Sequence, residues 1–70
     1  RMRVERFNAL FDQRLPLGVA ETIAGFVLDA MDGIPAPSDE VAYEHLTFRI
    51  IEADDRRVRS IEVRGIREPA

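Results

Sequence analysis

Catalysis needs a nucleophile or an acid/base pair, and a metal site needs a cluster of ligands. This chain offers one histidine, no cysteine and two well-separated serines, Ser38 and Ser60. His45 stands between two strand-like stretches and reads as a solvated turn residue, because a single imidazole makes neither a metal site nor a base without partners. Asp54 and Asp55, with Glu52, carry the carboxylate oxygens that a hard divalent cation prefers. Adjacent aspartates are also what a polar hairpin turn uses, and the turn is the favoured reading. Ser38-Asp39-Glu40 reads in the same way, as the cap of a loop entering a strand. Arg57, Arg59, Glu62 and Arg64 form either an anion-binding or docking strip or a solvated strand face guarding a sheet edge. The sequence therefore assigns no catalytic residue and no metal ligand, and it singles out no cofactor-binding residue.

The elements that would position these groups are limited by length. Seventy residues hold one domain, spanning 1–70, near the lower limit at which a hydrophobic core sustains folding unaided. Without cysteine there is no disulfide framework and no thiolate zinc site. The 46% hydrophobic and 33% charged residues are those of a folded protein, not of a disordered one. The longest apolar run, Ile23 to Leu28, is far short of the roughly 20 residues of a membrane span, so a soluble domain is expected. A net charge of −3 gives no general attraction to nucleic-acid phosphates. All ten basic residues are arginine, which reads as genomic base-composition bias. The start Arg1-Met2-Arg3 lacks a signal-peptide core and suggests a fragment of a larger protein.

Val4, Phe7, Leu10 and Phe11 recur at helical spacing and predict a helix over Val4 to Phe11, broken by Leu15-Pro16-Leu17-Gly18. Ile23, Phe26, Val27, Ala30 and Met31 form the stripe of a second helix from about Ala20 to Asp32, with Glu21 at the positive end of its dipole. Gly33, Ile34 and Pro35 predict a Schellman-type stop. Gly25, which costs about 1 kcal/mol against Ala inside a helix, predicts close approach to another backbone. Glu40 to Glu44 and Leu46 to Ile50 alternate as two strands joined near His45. A third strand is expected from about Arg57 to Arg64, after the turn Ala53-Asp54-Asp55-Arg56. Val58 is out of phase with Ile61 and Val63, so one extra residue near Arg59-Ser60 is expected as a β-bulge. Phe7, Phe11, Phe26, Phe48 and Tyr43 fall on the inward faces. The predicted architecture is an α+β two-layer sandwich, two short helices on one face of a three-stranded antiparallel meander.

Glu21-Thr22-Ile23-Ala24-Gly25-Phe26, Asp32-Gly33-Ile34-Pro35, Phe48-Arg49-Ile50 and Arg57-Val58-Arg59-Ser60-Ile61-Glu62-Val63, in that order, carry a likeness. With Arg6-Phe7-Asn8 as the first helix, the chain resembles the CorC/HlyC transporter-associated domain over nearly its whole length. Each motif is a packing or turn device, so the order and spacing carry the specificity. Members of that family have a further strand ending in an Asp-Gly turn before the first helix. This chain is expected to begin after it, leaving a sheet edge open.

The resemblance implies a cytoplasmic domain, on the cytoplasmic face of the inner membrane, of bacterial proteins that carry a transmembrane region and a CBS-domain pair. Such proteins are associated with magnesium and cobalt efflux or described as haemolysin-like. The domain would be a non-catalytic regulatory module acting by contact with the CBS-pair and transmembrane domains of its parent, without a cofactor. The fold is also grouped with flavin-binding domains, which makes a small-molecule domain for FAD or an adenine nucleotide the alternative. Against it, Gly18, Gly25, Gly33 and Gly65 form no phosphate-cradling loop. A third reading is a DNA-binding or antitoxin-like dimer, suggested by the small size and the Arg-rich last strand. The small core and the open edge also predict self-association into a homodimer.

Overall fold

The computed structural model of the protein describes residues 1–55 and 57–66. Arg56, assigned above to the second hairpin turn, lies outside the described residues. The elements are α1 (Val4–Phe11), α2 (Ile23–Ala30), β1 (Glu40–Tyr43), β2 (Leu46–Ala53) and β3 (Val58–Arg64). The strands form one antiparallel sheet in the order β1-β2-β3, and the helices cover one face of it, the expected α+β arrangement.

Helix α1 has the predicted bounds, and Val4 and Phe7 on its inner side are buried. No side chain caps its N-terminus: the Val4 N–H donates instead to the Glu21 carbonyl, and the Phe7 N–H makes the first helical bond, to the Arg3 carbonyl. Asp12 closes it in the left-handed conformation, φ 53°, with its N–H on the Asn8 carbonyl. Leu10 and Phe11 do not enter the core as the spacing predicts; they are 55% and 39% exposed. The chain turns away directly after Phe11, whose ring rests on Phe7 instead, centroids 5.1 Å apart. Leu15, in the stretch read only as a helix breaker, is buried in the core. The Asn8 side chain holds it there, donating to the Leu15 carbonyl and accepting from the Leu15 N–H, both at 3.0 Å.

Helix α2 is shorter at both ends than the periodicity predicts. Residues entering it are drawn into extended pairing with the N-terminal segment through an antiparallel bridge between Arg3 and Thr22, and Ile23 N–H donates to the Met2 carbonyl. Thr22 then caps the helix, its hydroxyl accepting from Gly25 N–H at 3.0 Å. Glu21 therefore lies in the bridge, ahead of the first turn. At the other end Met31 is extended and packs, half-buried, against the core. Gly33 has the left-handed φ of 94° but stands beyond that break, and Ile34 is 74% exposed, so the Schellman contact is not made. Gly25 has no close neighbour backbone: a Cβ there would meet the Ala20 methyl and the Thr22 hydroxyl, each at 3.2 Å. The crowding comes from the helix's own cap.

In the sheet, Glu44 and His45 make the turn between β1 and β2, with Tyr43 opposite Leu46. β2 runs to Ala53, three residues beyond the clear alternation. Ile50 pairs with Ile61, Glu52 with Ser60, and Ala53 with Val58. The predicted extra residue is thus Arg59 on β3, which brings Val58 onto the buried side with Ile61 and Val63. A second extra residue, Ile51 on β2, offsets it and is 49% exposed. Leu46, Phe48 and Ile50 form the floor of the core, and Phe48 is fully buried between Phe7 and Phe26, ring centroids 6.4 and 5.8 Å away. Tyr43, half-buried, meets Phe26 edge-on at 5.3 Å. The opposite face is polar, with Arg49 across from Glu62 and Glu40 across from Arg49.

Candidate functional site

The charged groups singled out in the sequence are largely engaged in shaping turns. Asp54 accepts from the Arg57 N–H at 2.8 Å and from Arg59 Nε at 3.3 Å, and its own N–H donates to the Arg57 carbonyl. Its carboxylate staples the second hairpin, as an Asx turn does. Asp39 accepts from Ala36 N–H at 3.0 Å, and the neighbouring backbone continues the ladder, Ser38 N–H to the Ile50 carbonyl and Ile50 N–H to the Asp39 carbonyl. Arg64 pairs with Glu62 at 3.0 Å along β3. These ion pairs join exposed side chains and each contributes about 0–1 kcal/mol. Among the described residues no three His, Cys, Asp or Glu side chains come together as a metal cluster.

Two of the concavities among the described residues bear on function. The first is a polar cleft of about 450 Å³ between the segment after α1 and the β1–β2 turn. Gln13 is buried at its base. The Gln13 amide donates to the Phe11 carbonyl at 2.7 Å, which orients it so that its oxygen accepts from His45 Nε2 at 2.7 Å. His45 is indeed a turn residue, but its ring is tied to a partner 32 positions away. No sequence signal points to this bond, since an isolated glutamine in a loop carries no periodicity. A primary amide is neither acid nor base near neutrality, so the pair acts as a latch between two loops. Gln13→Ala is expected to cost about 1–2 kcal/mol, read as a lower urea midpoint at unchanged m-value. A midpoint equal to wild type would show that the latch does not hold the loops.

The second concavity is an apolar groove of about 520 Å³, between the first helix with the residues before it and strand β3. Its apolar wall is Met2, Phe7, Phe11, Ile61, Val63 and Ile66, with Arg1, Thr22 and Arg59 at the margin. Met2 and Phe11 are more than a third exposed, and the three β3-side residues are half-buried. Among the described residues β3 is the last strand of the sheet, and the groove runs along it. The arrangement suits contact with another polypeptide better than bond-making chemistry. No helix among the described residues is long and apolar enough to cross a membrane.

Comparison with known proteins gives a consistent result. Residues 1–67 match the family described as the transporter associated domain, CorC_HlyC. The chain is similar to the magnesium and cobalt efflux protein CorC of Pasteurella multocida (strain Pm70), 28% identical over 60 residues, a match covering 86% of this chain and 20% of that protein. The chain thus spans about a fifth of the length of that curated relative. A crystal structure of the CorC-associated region from Neisseria meningitidis MC58 superposes with a TM-score of 0.81 at 26% identity, covering 89% of this chain and 76% of that one.

Proposed function

The chain belongs to the CorC/HlyC transporter-associated domain family, and from that premise we propose that residues 1–70 form one non-catalytic accessory domain of a bacterial divalent-cation efflux protein. The domain acts by protein contact, on the cytoplasmic face of the membrane, with the CBS-pair and transmembrane regions of its parent as partners. The observation that carries this reading is the family match over nearly the whole chain, joined to a relative named for magnesium and cobalt efflux. The structure supports contact over chemistry: the carboxylates of the two acidic candidates serve turns, the buried amide in the polar cleft serves a latch, and the second groove is lined mainly by apolar side chains. Coupling to transport requires that the domain contact its neighbours differently in two states. Deleting the domain from its parent should therefore alter the rate or the regulation of magnesium or cobalt efflux from cells. Efflux and regulation both unchanged would overturn the proposal.

The groove also supports a second reading, a binding site for FAD or an adenine nucleotide, because its volume lies in the range that small ligands occupy. A thermal-shift screen with FAD, ATP and magnesium ions distinguishes the two. Any of these probes at 100 times its dissociation constant should stabilise the fold by about 2.7 kcal/mol. A clear shift with FAD or ATP favours the ligand reading, and no shift with either excludes it.

A further inference from the structure

The motif Asp32-Gly33-Ile34-Pro35 reads in the sequence as a helix stop, yet α2 ends ahead of it and Asp32, Gly33 and Ile34 form an exposed bend. Among the described residues the Asp32 carboxylate has no hydrogen bond or ion pair, and the Gly33 N–H has no acceptor. Nothing lies within 4 Å of the place a Gly33 side chain would take, and its φ of 94° costs glycine nothing. A side-chain carboxyl and the backbone nitrogen of the next residue thus stand side by side, both unrestrained. Elsewhere the same two groups are held. Asp29 is followed by a helical residue inside α2, and Asp39 accepts from Ala36 N–H at 3.0 Å. After Asp12 the Gln13 N–H donates to the Asn8 carbonyl, and the Asp54 carboxylate staples its hairpin.

We propose that Asp32-Gly33 is a self-modification site, at which the folded chain forms a cyclic imide and then an isoaspartyl linkage. The Gly33 nitrogen attacks the side-chain carboxyl carbon of Asp32, a C–N bond forms, and the carboxyl OH leaves with the amide proton as water. Water then adds back to the five-membered ring. Breaking the bond from nitrogen to the side-chain carbonyl restores aspartate. Breaking the bond from nitrogen to the main-chain carbonyl leaves the backbone running through the side chain, with a carboxylate on the branch. One water is lost and one regained, and no oxidant or reductant takes part. The attack needs the chain to swing about Asp32 and Gly33, which glycine permits and which no hydrogen bond opposes here. The extra methylene enters a loop anchored at both ends, by Met31 against the core and by Ser38 N–H on the Ile50 carbonyl, so the change stays local. The product is the substrate class of isoaspartyl carboxyl methyltransferases, which esterify that new carboxylate.

Prolonged incubation of the folded chain in neutral buffer tests this, followed by methylation with an isoaspartyl carboxyl methyltransferase and S-adenosylmethionine, and by tryptic mapping. The tryptic peptide Leu15–Arg49 carries Asp29, Asp32 and Asp39 together, so two aspartates serve as internal references. The wild type should accumulate an isomer of this peptide with unchanged mass, preceded by a form one water lighter, and fragmentation should place the isoaspartate at Asp32 alone. Methyl uptake should rise with the isomer. Asp32→Glu should take up no methyl group, because the longer side chain does not close a five-membered ring. Its side chain is exposed and keeps the charge, so its circular dichroism should match wild type. A folded wild type that gains no methyl groups, while the same chain unfolded in urea does, overturns the proposal by showing that the turn shields the Gly33 nitrogen. So does an isomer spread evenly over Asp29, Asp32 and Asp39.

Discussion

Phe48→Ala is expected to leave the chain largely unfolded in dilute buffer. Phe48 is completely buried on the central strand, in contact with the Phe7 and Phe26 rings and flanked in the sheet by Val41 and Val63. Truncating a buried phenylalanine costs about 3–5 kcal/mol, from lost burial and from the cavity left behind. A core of this size supplies no more than about 3–5 kcal/mol of net stability. The two figures are comparable, so the folded population should fall from nearly all to a minority, seen as loss of the cooperative urea transition in far-ultraviolet circular dichroism. Phe11→Ala serves as the contrast. Its ring lies on Phe7 but is 39% exposed, and its loss should cost about 1 kcal/mol and retain the transition. A cooperative Phe48→Ala chain no less stable than Phe11→Ala would show that the core is not organised around the central strand.

Gly65→Ala is expected to be the most damaging single-methyl addition in the chain. Gly65 has φ 94°, a conformation that costs an L-residue about 1–3 kcal/mol, and a Cβ there would overlap the carbonyl oxygen of His45. That oxygen belongs to the backbone of a turn whose side chain is held by Gln13, so it has little freedom to retreat. Gly33→Ala separates the two causes. Gly33 has the same φ of 94° but open space around it, so its substitution carries the conformational cost without the overlap. The difference between the two urea midpoints measures the contact of β3's end with the β1–β2 turn. Equal losses would mean that the turn yields and that the close approach holds nothing in place.

These two residues also mark where the physics of the chain changes from local to global. The stripe Ile23, Phe26, Val27 and the alternation Leu46, Phe48, Ile50 determined an amphipathic helix and a half-buried strand, because a period of 3.6 or 2 is a property of neighbouring residues and survives into the fold. The out-of-phase Val58 was enough to indicate a bulge near Arg59-Ser60, since an apolar residue on the wrong face must be brought round, and the strand register sets it at Arg59. The motifs in their order were enough to indicate the family.

The element ends and the site were another matter. Helix α2 starts late because residues before it pair with the N-terminal segment, and it stops early where Met31 turns towards the core; neither partner is near in sequence. The compensating bulge at Ile51 follows from the register with β3 and has no signature in β2 itself. Leu15 looked like part of a break and Phe11 like part of a core, and the path of the chain after Asp12 exchanged their roles. The bond from His45 to Gln13 spans 32 residues, and the need for glycine at position 65 arises from a carbonyl twenty residues earlier in the sequence. Such contacts are decided by where the sheet places two loops, because a hydrogen bond or an overlap depends on distances of a few ångströms that only the assembled fold sets.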